Sequence, residues 1–371
     1  MSTSTRKNWR RTVGVALCLA SIGAVAVAED WHVVRPNNRP YVSFANVAQF
    51  YQFPEYMHVN RTVSLRSERR TIRAQAGTSE LSINGVRFWT HFPLLNGGGE
   101  EDLISVMDVS KIIEPVLRPS RIQNSQKIDT VVLDPGHGGF DNGASSSWGS
   151  EKNLTLDVAL VARRELIRAG YRVEMTRATD TYVSLEQRVN IANRFPHAVF
   201  VSIHFNSSAG GVGVESFSLA PEGVPSNMSS EHHFSAADVA RHAGNAQDEH
   251  NIALTASIHA MVLSRLAAFD RGVKHARFHV LRDVKIPAVL VEGGFISNPS
   301  EGQRISTSYY RQRLGAAIAQ GIQNYNAAVN YRTQGANFAM AKMNLPLHSH
   351  SITDPLESEN HQPSVSINGG N

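Results

Sequence analysis

The chain has 371 residues, a formal net charge of +4 and one cysteine, with 42% hydrophobic and 18% charged residues. That length allows one or two domains with a sizeable core, and a lone cysteine, Cys18, excludes a disulfide framework within the chain and a zinc site built on several thiolates. Four of the basic residues, Arg6, Lys7, Arg10 and Arg11, precede any acidic one; without them the balance is zero, so charge lends no support to a nucleic-acid partner.

Behind those four residues runs an uncharged apolar stretch, Val13 to Val27, ending at Ala26-Val27-Ala28. A basic start, a short apolar run and a small-x-small site are the parts of a secretory signal peptide, so residues 1–28 are expected to be removed. The apolar run is too short and too rich in small residues to serve as a permanent membrane span. Cys18 leaves with the leader, and any metal of the mature chain must then be held by histidine and carboxylate.

Residues 29–117 read as a small α+β domain. A helix is expected over Phe44 to Tyr51, strands around Thr62 to Leu65, Thr71 to Ala74, Leu81 to Ile83 and Val86 to Thr90, and a second helix over Val106 to Val116. Asn84-Gly85 is a two-residue hairpin signal between the last two strands. This order resembles the copper amine oxidase N-terminal domain, a resemblance that implies a structural or wall-binding accessory and no copper, since His32, His58 and His91 lack ligand-like spacing. Residues 118–127 are polar and contain proline, which reads as a linker.

From there to about residue 330 strands alternate with helices. Strands are expected at Thr130 to Asp134, Arg172 to Thr176, Ala198 to His204, Gly213 to Leu219 and Ala288 to Glu292. Helices are expected at Asn153 to Ala169, from the capping box Ser184-Leu185-Glu186-Gln187 to about Phe195, at Ala253 to Phe269, and at Tyr309 to about Ala328. This pattern predicts an α/β fold with a mostly parallel or mixed sheet covered by helices on both faces. Residues 331–371 are rich in Asn, Ser, Pro, Gly and Gln without apolar periodicity and are expected to be disordered.

Histidine and carboxylate fall at strand ends. His137 follows the first strand in Asp134-Pro135-Gly136-His137-Gly138-Gly139, His204 ends the third, Glu292 ends the last, and Glu151 opens the first helix, where a carboxylate suits the helix dipole. Ligands of open α/β sheets bind outside the carboxyl ends of the strands, so these segments are expected to converge. Two His and one Glu are an attested zinc set with a position left open; His137, Glu151 and His204 supply it, and Glu292 is the candidate acid-base carboxylate. Singly, a histidine after a strand is more often structural, and a Glu at a helix start is explained by capping. The combination carries the reading, which on residue chemistry alone reaches a zinc hydrolase of an amide-like bond.

Four blocks then resemble the N-acetylmuramoyl-L-alanine amidases of the zinc-dependent Amidase_3 class: Val132 to Gly139, Glu151-Lys152-Asn153-Leu154, Ser202-Ile203-His204-Phe205-Asn206, and Pro287 to Asn298, over about residues 129–326. The resemblance implies hydrolysis of the bond between N-acetylmuramic acid and L-alanine in peptidoglycan, zinc on His137, Glu151 and His204, and catalysis by Glu292. The last block departs mildly, with Glu292-Gly293-Gly294-Phe295 where Glu-Leu-Gly-Phe is commoner. Asn206 and Arg271 are candidate substrate contacts, Arg271 and Arg188 being read first as ion-paired fold supports. A polar insertion, about 221–251, holds His232, His233, His242 and His250, expected together with His259 to be exposed bystanders. By resemblance this insertion is a candidate cover over the zinc, removed by an activator protein. Export points to the periplasm, with an extracellular home as the alternative. A non-catalytic wall-binding or regulatory protein on the same fold, or another zinc hydrolase acting on wall fragments, remains the rival reading.

Overall fold

The computed structural model describes residues 31–98, 101–227 and 235–331. The expected leader, the expected disordered tail beyond Tyr331, and His232 and His233 lie outside them. By contact the chain divides into two compact units, one running to Asn84 and including Thr90–Glu114, the other made of Gly85–Trp89 and the chain from Pro115 on.

In the first unit, Glu55–Val59, Thr62–Arg66, Thr71–Gln75 and Glu80–Ile83 form an antiparallel meander. Inward residues alternate, Val63, Leu65, Ile72, Ala74, Leu81 and Ile83 being buried, as a half-buried sheet requires. A second antiparallel sheet pairs Tyr41–Ser43 with Asp102–Ser105, and that strand with Leu95–Asn96. The helix Phe44–Phe50 starts where the Ser43 hydroxyl accepts from the Asn46 N–H. Asn84 and Gly85 both take positive φ, 52° and 81°, the signature of the expected tight turn.

The second unit carries the site. Its main elements, in chain order, are β1 (Val86–Trp89), β2 (Thr130–Pro135), α1 (Glu151–Arg168), β3 (Arg172–Met175), α2 (Leu185–Ala192), β4 (Ala198–Asn206), β5 (Val214–Leu219), α3 (Asp248–Leu266), β6 (Asp270–Ala276), β7 (Ala288–Phe295), α4 (Pro299–Ile305) and α5 (Ser308–Val329). Strands β3, β2, β4 and β7 lie side by side in parallel. β5 then pairs antiparallel with β7, and β6 and β1 follow parallel to β5. The sheet is therefore mixed, as the sequence allowed.

Successive residues of its central strands go to opposite cores. Val131, Leu133, Val199, Val201, Ile203, Val289 and Val291 pack with α1, α3 and α5; Val132, Phe200 and Leu290 pack with α2 and the helical turn His279–Arg282. Burial on both faces explains why these strands read as continuous apolar runs. Ile122 and Ile128, in and just after the stretch read as a linker, are buried in the first of these cores.

The direction of β5 bears on the expected cover over the site, for the described residues of the 221–251 segment; residues 228–234 of it lie outside them. Because β5 runs against β7, its carboxyl end lies at the opposite edge of the sheet from His204 and Glu292, and the 221–251 segment leaves from there. The Arg277 guanidinium donates to the Pro221 and Val224 carbonyls, the Asn245 amide donates to the Ala220 carbonyl, and the Gln247 amide to that of Lys285. The described residues of the segment therefore do not cover the strand ends where the site forms, and its last residues, Asp248 to Asn251, are already the first turn of α3. Two of its neighbourhood's histidines are also buried rather than exposed. His250 accepts from or donates to the Tyr325 hydroxyl at 2.8 Å, and His259 sits between the Ser216 hydroxyl and Asp270, both at 2.9 Å. They remain structural, as expected.

One buried charge ties four elements together. The Asp134 carboxylate on β2 accepts from Arg188 on α2 at 2.6 Å, from Thr176 after β3 at 2.6 Å and from Ser202 on β4 at 2.8 Å. Burial alone would raise its pKa, but Arg188 and the two hydroxyls outweigh it and hold the carboxyl below its ordinary value. Asp134→Ala leaves Arg188 buried without its partner and is expected to cost about 3–5 kcal/mol of unfolding free energy at neutral pH. The folded pKa is depressed, so this stabilisation is full above about pH 4 and fades as pH falls toward the folded value. Urea titrations of both proteins at pH 7 and pH 3 test this, and a difference that grows toward pH 3 overturns it.

Candidate active site

The parallel strands deliver their carboxyl ends to one edge, and the sequence-predicted residues meet there. Glu151, the first residue of α1, is buried and reaches both histidines. Its Oε2 is 3.1 Å from His137 Nε2, and its Oε1 is 2.9 Å from His204 Nδ1. The ligand-type atoms of His137, Glu151 and His204 form a group able to hold a metal ion, all within 4.8 Å of one another. A tetrahedral ion with bonds of about 2.1 Å needs neighbouring donors about 3.4 Å apart; the two histidine–carboxylate distances, 3.1 and 2.9 Å to different oxygens of Glu151, are somewhat shorter, and the whole set lies within 4.8 Å.

Packing around the three donors is equally selective. A Cβ on Gly136 would stand 2.2 Å from His204 Cε1, and one on Gly143 would stand 2.6 Å from Glu151 Oε2. The imidazoles and the carboxylate thus occupy space that only glycine leaves open. Backbone N–H groups of Ala144 and Phe205 donate to Glu151 at 2.8 and 3.0 Å. Burial would raise the Glu151 pKa; hydrogen bonds from His137 and His204 prevail and hold it well below the ordinary carboxylate range. His137 itself sits at φ 62°, a left-handed conformation uncommon outside glycine. Its carbonyl accepts from Arg188 at 2.7 Å, and the carbonyls of Pro135 and Gly136 accept from Arg177 at 3.0 and 2.7 Å. Two buried arginines therefore hold the strained turn that presents the imidazole.

Asp141 was missed at the level of sequence. Its Oδ2 lies 2.9 Å from His137 Nδ1, while its Oδ1 accepts from the Gly143 N–H at 3.0 Å. A carboxylate on the far nitrogen fixes the tautomer and ring orientation of a metal-ligating histidine. A carboxylate four residues after the first histidine was the available signal.

Glu292 faces His204 in register on one side and Glu215 on the other. The two neighbouring carboxylates are treated differently. Burial would raise Glu215, but Lys274 at 2.7 Å and Arg271 at 2.8 Å hold its pKa down. Glu292 has no such partner: its Oε2 is buried and unbonded among the described residues. Burial first, then repulsion from Glu151 and Glu215, pushes its pKa well above the ordinary value. Carboxylates forced apart in this way mark acid-base assignments. Asn206 and Arg271, the candidate substrate contacts, both donate to Glu215, at 2.7 and 2.8 Å, and Arg188 is the buried fold support expected of it. Of the glycines after Glu292, Gly293 makes its close approach to Leu314 in the core and not toward the site.

Residues 131–324 match the family model described as N-acetylmuramoyl-L-alanine amidase. The chain belongs to the N-acetylmuramoyl-L-alanine amidase family. It is 35% identical over 195 residues to the sporulation-specific N-acetylmuramoyl-L-alanine amidase of Bacillus subtilis, a match spanning 52% of this chain and 66% of that protein. It is 34% identical to the N-acetylmuramoyl-L-alanine amidase AmiA of Escherichia coli over 53% of this chain and 75% of that one. Among solved structures, the amidase AmiC2 of Nostoc punctiforme matches at 30% identity and TM-score 0.44, over 54% of this chain and 98% of its own. The amidase class read from the four sequence blocks is the class the family model assigns.

Replacing Asp141 by Ala frees the far nitrogen of His137 and is expected to weaken divalent-cation binding by 10- to 100-fold. Competition against a chromogenic chelator measures it. An unchanged affinity would mean that Asp141 does not orient the ligand.

Proposed function

We propose that the family amidase hydrolyses the amide between N-acetylmuramic acid and L-alanine of peptidoglycan, with a zinc ion held by His137, Glu151 and His204 and with Glu292 as its acid-base residue. The observation that carries the reading is the donor cluster, two imidazoles and one carboxylate converging from β2, α1 and β4, beside a buried carboxylate with an unbonded oxygen. This donor set fits zinc, since it gathers two imidazole nitrogens and a carboxylate oxygen within 4.8 Å of one another, with no competing thiolate. When bound, zinc supplies Lewis-acid polarisation of the scissile carbonyl and offsets the charge that develops on its oxygen.

The residues of the chain do the rest. Glu292, in register beside His204, takes a proton from the attacking water and returns it to the departing alanine nitrogen. A carboxylate whose pKa is raised above its ordinary value holds a proton more readily than a free one and is suited to both halves of that transfer. Burial raises that pKa first, and repulsion from Glu151 and from Glu215, which Lys274 and Arg271 keep ionised, adds to it. Asp141 and the Arg177–Arg188 pair keep the His137 ring where a ligand is needed. The leader read at 1–28 would carry the enzyme across the cytoplasmic membrane to its substrate, most simply into the periplasm, and the first unit serves as a wall-binding accessory. No helix among the described residues is long and apolar enough to cross a membrane.

Mass spectrometry of purified peptidoglycan after digestion tests the reading. Stem peptides beginning at L-alanine are expected, lost on chelation and restored by zinc. Glu292→Gln should lower kcat by about 10²- to 10⁴-fold while retaining zinc. Digests containing cleaved glycan or shortened stems, with no L-alanine amino terminus released, would assign the site a different bond.

A further inference from the structure

Three residues beyond His137 the chain exposes a phenyl ring. Phe140 is 80% exposed and stacks on Tyr182, itself 46% exposed, with ring centroids 4.2 Å apart and planes 26° from parallel. Single exposed apolar side chains are common on protein surfaces. What distinguishes this pair is how firmly its backbone is held. The Gly139 N–H donates to Asp180 at 2.8 Å, the Lys152 ammonium donates to the Gly139 carbonyl at 2.6 Å, and Lys152 pairs with Asp180 at 2.9 Å. A Cβ at Gly138 would meet the Thr181 carbonyl at 2.2 Å, and one at Gly139 would meet the Tyr182 backbone at 2.7 Å. The loop after β2 and the loop after β3 are thus pressed together and pinned by charge, with both aromatic rings left at their rim.

Next to this stack opens a cleft of about 430 Å³, lined by Thr176, Tyr182, Gln187, Asn190 and Arg194 among others. Its volume falls in the range of small-ligand sites. It opens at the carboxyl end of β3, where Thr176 and Tyr182 line it on the same edge of the sheet as His137, and runs from there along α2 past Gln187 and Asn190 to Arg194. Neither the Asn190 amide nor the Arg194 guanidinium makes a side-chain hydrogen bond to the described residues, and both side chains are exposed. The combination is an aromatic face, primary amides and a fork of N–H donors, with no carboxylate in the lining.

We propose that the Phe140–Tyr182 stack and this cleft form a subsite for an N-acetylated amino sugar of the glycan strand, next to the bond cleaved at the metal site. The inference rests on the proposed amidase function and names the part of the substrate that this rim holds. A pyranose presents a face of C–H groups that packs on the negative face of an aromatic ring. Its hydroxyl and acetamido groups match the amides of Gln187 and Asn190 and the Arg194 donors. An apolar wall with a few convergent polar groups is the usual form of such sites. The locked loops keep the platform in place before the sugar arrives, so little ordering cost falls on binding.

The test is calorimetric titration of the zinc-loaded full chain with a peptide-free tetrasaccharide of alternating N-acetylglucosamine and N-acetylmuramic acid. Phe140→Ala is expected to weaken binding about tenfold, the loss of one aromatic contact, and the Asn190→Ala, Arg194→Ala double variant to weaken it further. Unfolding midpoints should stay at the wild-type value, since these side chains are exposed. Undiminished tetrasaccharide binding in both variants overturns the subsite. So does a wild type that ignores the sugar but binds free stem peptide through Arg194. A wild type that cleaves peptidoglycan yet binds no tetrasaccharide removes this inference and leaves the amidase standing. One that binds the sugar but releases no L-alanine peptides does the reverse.

Discussion

The site depends on the charge of Asp134. It lies at the end of β2, buried to 1% exposure, and a carboxylate there is tolerable only because Arg188, Thr176 and Ser202 satisfy it. Those partners come from α2, the end of β3 and β4, so the same hydrogen bonds that neutralise the charge also register three neighbouring elements at one edge of the sheet. Arg188, positioned by Asp134, then donates to the carbonyls of Pro135 and His137, and Arg177 takes the intervening one at Gly136. The left-handed turn at His137 is therefore paid for by two buried guanidinium groups, whose fixed fork of donors can serve several carbonyls at once. A lysine at either position would supply the charge without that geometry.

The second constraint is the reversal of direction between β7 and β5. It places Glu215 opposite Glu292, so a carboxylate from an antiparallel strand enters a site otherwise built by parallel ones. Lys274 and Arg271, from β6, hold Glu215 ionised, and its charge then bears on Glu292. The same reversal sends the chain after β5 to the far edge of the sheet. A segment of matching length and polarity in the sequence gives no hint of this, because strand direction is decided by pairing and leaves no mark on composition.

Much of the site was legible because its chemistry sits immediately after recognisable strands. Thr130–Pro135, Ala198–Asn206 and Ala288–Phe295 are largely buried and read as apolar runs, and each carries a His or Glu in its last half or just beyond its end. The less legible parts have other physical origins. Glu55–Val59 is largely exposed and shows no alternation, so no pattern announced it. Asp270–Ala276 carries Arg271, Lys274 and His275, polar residues whose partners come from distant segments. The first turn of α3, Asp248 to Asn251, looks like loop because its polar side chains are used inside: Asn251 bonds to the backbone of Ala288 and Gly244, and His250 to Tyr325. Val86–Trp89 pairs with β6, a contact that spans about half the chain and that no local pattern announces.

These two constraints together account for the division of labour at the strand ends. The donors for a metal are held from below, by arginines, backbone N–H groups and Asp141, so their geometry does not depend on what binds above them. Glu292 is half-buried, and its Oε2 has no hydrogen-bond partner among the described residues. On the proposed roles, that asymmetry follows from what each group must do. A ligand set has to persist unchanged through a reaction, whereas an acid-base residue has to change charge within it, and every fixed hydrogen bond to Glu292 would favour one of its two states. The unbonded Oε2 is thus the feature of the site that a purely structural role would not preserve, since a buried polar atom without a partner costs stability and returns nothing to the fold.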